Sequence, residues 1–423
     1  MSNYCRESLF PEINFNTVKV FKFKTMRISV YAFLPIEKES VHLYPLLSKA
    51  MTRSCDMYPD FTVLSKKLSS LYGASLACSS SKLGDILSVG FHIAGLDDRY
   101  TINKEKLSCE LSNLLCEVIF NPKAQNERFD SESLLQAKRE TIDSIDAEFN
   151  EKRTYAINKS IEIMCSNEAY GLSKYGSKED VEKVNEEDIF VAWKNLLKNA
   201  RFEIFYTGDS DSCHAKEIFI DYFKNIERTP LKLENKIIRN VEKIKEVEES
   251  MPLSQSKMIL GFRTDSSISD DDMYVTKLMC AILGGTAHSK LFNNVREKLS
   301  LCYYCASRFT KQKGIMLVDC GVEKDNISKT KEAILNEIEE MKKGNISFEE
   351  IESTKLSLTN AFRESLDLAS GVETWYYSQV FDKDICSVEK ICEKINSITK
   401  EEIVKVSNKL KLDTIFTLVG TGE

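Results

Sequence analysis

Apolar and polar residues alternate from Val18 to Phe33, VKVFKFKTMRISVYAF, with the period of two that a half-buried strand requires, and Lys257 to Arg263 repeats the pattern far downstream. Between these stretches the apolar spacing lengthens to that of amphipathic helices. The pattern predicts helices over Leu43 to Arg53, Thr62 to Leu71, Lys104 to Phe120, Ser131 to Glu148, Arg153 to Cys165 and Glu186 to Leu197. A strand then closes the half. Strands separated by several helices imply an antiparallel sheet with helices packed on one face. The stretch from Asn225 to Ser256, with Pro230, Pro252 and dense charge, reads as a connection.

The chain also matches itself. Val184 to Gly208, VNEEDIFVAWKNLLKNARFEIFYTG, aligns without gaps on Ile398 to Gly422, ITKEEIVKVSNKLKLDTIFTLVGTG, at a constant offset of 214 residues (398 minus 184). Glu187 falls on Glu401, Ile189 on Ile403, Leu196 on Leu410, Phe202 on Phe416 and Gly208 on Gly422: a polar helix start, an apolar helix face and a following strand. Two looser matches keep the same order. Ser65 through Gly90 resembles Ser289 through Gly321, and Phe129 to Lys138 resembles Phe348 to Lys355. Ordered matches of this kind point to a duplicated unit, each copy the size of an ordinary domain. The expectation is an α+β fold (α/β two-layer) of two homologous domains, each an antiparallel-rich sheet packed with helices. Residues 1–228 and 257–423 form the domains, and 229–256 the linker.

Composition narrows the function. The 423 residues exceed the ~250–300 at which a single core stops growing. A hydrophobic fraction of 42% with 29% charged residues allows real cores. No apolar run approaches the ~18–20 residues of a membrane span, and the opening MSNYCRESLFPE lacks a basic segment followed by an apolar one, so a cytoplasmic protein without a membrane partner is expected. A net charge of −7 with interspersed signs offers no basic stripe for phosphates, which argues against nucleic acid. The runs Glu242 to Glu249 and Glu337 to Lys343 read as solvated helix or linker faces. Thirteen scattered cysteines suit reduced thiols used as small core residues better than a disulfide framework. Cys302 and Cys305 form the single C-x-x-C pair. With no second pair and no histidine cluster, their neighbours LCYYCAS read as a strand rather than a zinc or redox site.

Specific residues resemble the insulinase (pitrilysin-type) metallopeptidase family. Tyr170 to Val181, YGLSKYGSKEDV, is similar to the family's "HPYGRPVLGTEEDI" segment. Gly284 to Phe292, GGTAHSKLF, followed by Val295 to Tyr303, VREKLSLCY, looks very like its "GG...S.LF..VREKLGLAY". The resemblance spans nearly the whole chain and implies paired α/β domains that enclose a chamber. Within the family, Tyr58-Pro59, LYGASL at Leu71 to Leu76 and EKRTYA at Glu151 to Ala156 resemble the zinc-motif-less bacterial members known as elongation factor P 5-aminopentanol modification-associated proteins.

One departure governs the functional expectation. Active members of the family carry H-x-x-E-H, in which two imidazoles hold zinc and the glutamate activates its water. No such motif exists here. His42, His92, His214 and His288 are the only histidines, none within five residues of another. By position before Met57-Tyr58-Pro59 the motif would fall near Pro45, Ser48 and Lys49, where a lysine ammonium repels zinc. Glu140, Asp143 and Glu148 lie where a third ligand would be sought and otherwise read as solvated helix residues. The expectation is therefore no metal and no cofactor on this chain, with zinc only on a partner.

The resemblance also implies that Arg296 and Tyr303, seven residues apart, are the family's substrate-binding pair, hydrogen-bond donors to a peptide carbonyl or its oxyanion. It further implies a zinc-motif-bearing insulinase-type subunit as heterodimeric partner, or a second copy of the chain, with peptide as substrate. The chain would be the non-catalytic subunit, inactive alone. In the alternative reading Arg296 pairs with Glu297, Tyr303 packs in its strand, and the protein is an inert scaffold or a homodimeric peptide-binding protein. A third reading makes Lys49, with His42 nearby in sequence, or a cysteine, a new catalytic centre.

Overall fold

The computed structural model describes residues 3–422. The first half of the chain runs β1 (Asn3–Phe10), β2 (Ile13–Lys19), β3 (Thr25–Pro35), α1 (Leu43–Met51), α2 (Phe61–Ser70), β4 (Ser75–Leu83), β5 (Ile86–Leu96), α3 (Leu107–Phe120), β6 (Ala124–Gln125), β7 (Arg128–Phe129), α4 (Ser131–Asn150), α5 (Lys152–Met164), α6 (Lys178–Lys183), α7 (Glu186–Asn199), β8 (Arg201–Gly208) and α8 (Cys213–Phe223). The second half runs β9 (Lys245–Met251), β10 (Ser256–Arg263), α9 (Met273–Cys280), β11 (Cys302–Thr310), β12 (Ile315–Val322), α10 (Ile327–Lys342), α11 (Phe348–Glu364), α12 (Ala369–Tyr377), α13 (Val388–Ser397), α14 (Lys400–Ser407) and β13 (Lys411–Gly420). Between α9 and β11 lie two π-helical stretches, Ala281–Gly285, kinked at Gly284 where the backbone leaves the helical region (φ −156°, ψ 15°), and Leu291–Lys298.

The duplication is visible in strand order. The first sheet is β1-β2-β8-β3-β5-β4 and the second β11-β12-β10-β13-β9, so that, read from the β4 and β11 edges, the second reproduces the first without its β1 strand. Each sheet is antiparallel except for one parallel pair, β2 with β8 and β9 with β13. The gapless repeat corresponds to α7–β8 and α14–β13. Both helices begin with a capping box, Asn185 with Asp188 and Thr399 with Glu402, which satisfies backbone N–H groups that the helix itself leaves open.

Two expectations are corrected in detail. The single strand expected over Val18 to Phe33 is two strands, β2 and β3, broken at residues 20–24. The charged run Glu242 to Glu249 is mostly strand β9, at the margin of the second sheet, where an edge strand tolerates charge on its open side.

The compact units are discontinuous in sequence and do not follow the cut at 228 and 257. One unit comprises Met1–Ala147, Leu172–Glu234 and Leu366–Tyr377; the other comprises Glu148–Gly171, Asn235–Ser365 and Ser378–Glu423. Helix α5 therefore belongs to the unit of the second sheet, and α12 to the unit of the first. In the second unit, Ala156, Ile157, Met164, Cys165 and Tyr170 bury themselves with Ile259, Ile315, Leu317, Phe416 and Leu418. Each large apolar side chain so buried contributes about 1.5–3 kcal/mol. In the first unit, Tyr377 stacks on Tyr31 with ring centroids 4.1 Å apart, and Tyr376 on Tyr4 at 4.3 Å.

A buried carboxylate pins each of these segments. Glu168, after α5, pairs with Arg263 at 2.7 Å and Lys313 at 2.7 Å, and Arg263 also holds Asp413 at 2.8 Å. All four side chains are at most 8% exposed. Glu373 on α12 accepts from Arg27 Nε at 3.1 Å and from Tyr31 Oη at 2.9 Å. Their titration differs. Burial alone would raise both carboxyls; hydrogen bonds from Arg263 and Lys313 more than offset it at Glu168, which is lowered, whereas at Glu373 burial wins and the carboxyl is raised.

Candidate functional site

The positions of the lost zinc motif lie on α1, and their side chains face inward for structural reasons. Pro45 sits in the first turn, where a missing N–H costs nothing. Ser48 is 1% exposed and donates Oγ–H back to the Pro45 carbonyl at 3.0 Å. Lys49 reaches across to α4, donating Nζ–H to the Glu140 carbonyl at 2.8 Å and to Ser144 Oγ at 3.1 Å. The Glu140 carboxylate itself binds Arg53 at 3.0 Å. Burial pulls the Lys49 ammonium below its usual value, against the attraction of Glu140.

These residues do not fit a zinc ion. A pyrrolidine ring, a hydroxyl committed to its own helix and an ammonium offer no metal ligand, and no group of three or more His, Cys, Asp or Glu able to hold a metal exists among the described residues. Of the acidic candidates, Glu140 and Asp143 lie on α4 near Lys49, while Glu148 belongs to the other unit and accepts from Asn158 at 3.1 Å. The histidines are dispersed. His92 is a buried core residue between Ser29 and Ser79, its imidazole lowered to about 3 by burial first and Arg27 second. His214 pairs with Glu217 on the surface. His42 packs under Gly176, whose positive φ of 67° and absent Cβ permit the approach.

Lys49 thus bonds α1 to α4, and its ammonium is committed to the Glu140 carbonyl and Ser144 rather than presented as a nucleophile. Lys49→Met keeps the aliphatic stem and removes two charge-assisted hydrogen bonds. It is expected to lower stability by about 1–2 kcal/mol, the low end of the range because the side chain is partly solvated. The midpoint of urea denaturation reads this; an unchanged midpoint would remove the lysine as a link between the helices.

The second candidate site is built by the π-helical turns. Gly284 lets the first of them approach β11: a Cβ there would lie 2.7 Å from the Ser307 backbone nitrogen. The second stretch carries Arg296, and the wide turn continues with Leu299 N–H on the Asn294 carbonyl at 3.1 Å. π-helical turns are rare and concentrate at functional sites. Ser300, with a φ of 51°, then redirects the chain into β11. The structure brings Arg296 and Tyr303 together in one open cavity of about 400 Å3 with Glu297, Ser300, Cys302 and Glu323.

Both side chains are accessible and lightly tethered. Arg296 lies over the Phe292 ring at 4.7 Å and 3.6 Å from Glu297. Tyr303 is 57% exposed and donates its hydroxyl to Glu323 at 2.9 Å. That hydrogen bond, and the carboxylate's charge after it, push the phenol up, so it stays a donor at neutral pH. Glu323 and Cys302 were not singled out by spacing as members of this site. The register Cys302 to Val322 across β11 and β12 places Glu323 beside the strand start, a signal that needs the pairing to be known.

The family described as "Peptidase M16 inactive domain" matches residues 183–358. A Bacillus subtilis (strain 168) protein named "Probable inactive metalloprotease YmfF" is 31% identical over 404 residues, covering 96% of this chain and 95% of that one. The chain belongs to the M16, insulinase-type, family. It is an inactive metallopeptidase homologue. A conserved protein from Enterococcus faecalis V583 superposes over the full length of both chains, with a TM-score of 0.90 at 28% identity. The M16 inactive domain protein of Pseudomonas fluorescens shares the fold, with a TM-score of 0.80 at 16% identity over 99% of this chain and 98% of that one.

Proposed function

We propose that this M16 homologue is the non-catalytic subunit of a two-chain peptidase, presenting Arg296 and Tyr303 to a peptide held at the zinc of a partner subunit. One observation carries the reading: the donor pair stands open in a single cavity while α1 offers no metal ligand. A guanidinium and a phenol donate to a carbonyl oxygen but cannot activate water, so they act only beside a metal supplied from elsewhere. The partner is an M16 chain with an intact H-x-x-E-H motif, and the two contribute the walls of a shared peptide chamber. Peptide processing in the cytoplasm is the setting this implies.

The test is reconstitution. The chain alone cleaves no peptide, and activity appears on mixing with a zinc-bearing M16 chain of the same cell. The hydrogen bond from Tyr303 to Glu323 favours a second reading, an inert scaffold in which the pair is residual. Full activity of a mixture containing Arg296→Ala would select that reading.

A further inference from the structure

Cys302 lines the Arg296–Tyr303 cavity, and strand β11 is irregular at that point. In a regular strand, residues 302 and 305 face opposite sides. A register shift between Cys302 and Tyr304 inserts one extra residue, so Cys302 and Cys305 both turn inward while Tyr303 is exposed. Cys305 lies directly across from Cys320 on β12 and interacts electrostatically with both Cys302 and Cys320, while the Cys320 thiol donates to the Met258 carbonyl at 3.6 Å. All are free thiols.

We propose that Cys302 is a reactive thiol of this cavity, a modification site for hydroperoxides and small soft electrophiles, with Cys305 as its resolving partner. The groups facing it are Arg296 and Glu297 from the π-helical stretch, Tyr303 on its own strand, Glu323 beyond β12, and Cys305. Glu323 is engaged by Tyr303, and Glu297 is 3.6 Å from the guanidinium, which still favours the thiolate. The neighbouring Cys305 thiol lowers Cys302, burial opposes it, and Arg296 adds to the lowering. The exposed thiols lack such a setting: Cys213 is pushed up by Asp211.

With a hydroperoxide, the Cys302 thiolate attacks one oxygen and the O–O bond breaks. The sulfur is oxidised to a sulfenic acid, and the peroxide is reduced to an alcohol or, from hydrogen peroxide, to water after taking up a proton. Cys305 then attacks the sulfenic sulfur; an S–S bond forms, the S–O bond breaks, and hydroxide leaves with the Cys305 proton as water. Either product changes the wall beside Arg296 and Tyr303. The chemistry needs no partner subunit and is independent of the peptidase reading.

The experiment is limiting iodoacetamide labelling of the native chain across pH, followed by peptide mapping. Each unit of pKa lowering is about a tenfold gain in thiolate at a pH below both values. Cys302 is expected to label ahead of Cys5 and Cys213 near pH 6–7, an advantage that disappears in denaturant and shrinks in Arg296→Gln. Hydrogen peroxide is expected to link Cys302 to Cys305, and in Cys305→Ala to leave a dimedone-trappable sulfenic acid at Cys302. Labelling of Cys302 no faster than Cys5 at every pH, or a disulfide between Cys305 and Cys320 with Cys302 reduced, would overturn the proposal.

Discussion

Glu168→Ala is expected to lower the stability of the second unit by about 3–5 kcal/mol, because it leaves Arg263 and Lys313 buried with one carboxylate fewer between them. That is a large part of the ~5–15 kcal/mol available to a domain. The loss falls on the segment that anchors α5 beneath β10 and β13, so unfolding is expected to begin there and to separate from that of the first unit. Chemical denaturation followed by hydrogen exchange on α5 reads it; a cost below about 1 kcal/mol would show that the ion cluster contributes nothing net.

The pH dependence separates the two clamps. Glu168 is held below its ordinary 4.5, so its contribution is complete above that value and is lost as pH falls through the depressed one. Glu373 is raised, so the folded chain binds a proton that the unfolded chain would release; its charge counts against the fold above the raised value, and the penalty is relieved on acidification. At neutral pH, Glu373→Gln is therefore expected to cost clearly less than Glu168→Gln.

The second large effect is on catalysis. In a reconstituted mixture, Arg296→Ala is expected to reduce kcat by about 10²–10³-fold, the loss measured when one oxyanion donor is removed. Tyr303→Phe removes the other donor while keeping the ring, and Arg296→Lys restores little because an ammonium does not reproduce the planar fork. A loss confined to KM, with kcat untouched, would assign Arg296 to peptide holding rather than to the transition state.

Local signals in the sequence carried much of this. NEEDI and TKEEI declare capped helix starts, and the structure places α7–β8 and α14–β13 in equivalent positions. The segment from Gly284 to Tyr303 was legible as a family-like motif, and the structure shows Gly284 in close approach to Ser307 and places Arg296 and Tyr303 in one cavity. What stayed hidden depends on distant partners. KEVEESM has the charge of a solvated run and becomes strand β9 because β13 offers it a parallel edge. The assignment of α5 and α12 to the units opposite their sequence halves rests on buried contacts such as Glu168 with Arg263, which no local periodicity encodes. Likewise C-x-x-C in a strand reads as thiols on opposite faces until the irregularity at Tyr303 turns both inward.

The proposed function depends on α1 being unable to hold the zinc that an H-x-x-E-H motif binds. Zinc content of the purified chain, measured by mass spectrometry after saturation with zinc and exhaustive dialysis, tests it most directly. The account predicts no stoichiometric zinc, and none gained in Lys49→His, where two further ligands are still absent. One equivalent of zinc retained by the native chain, lost together with a peptidase activity on chelation, would contradict it.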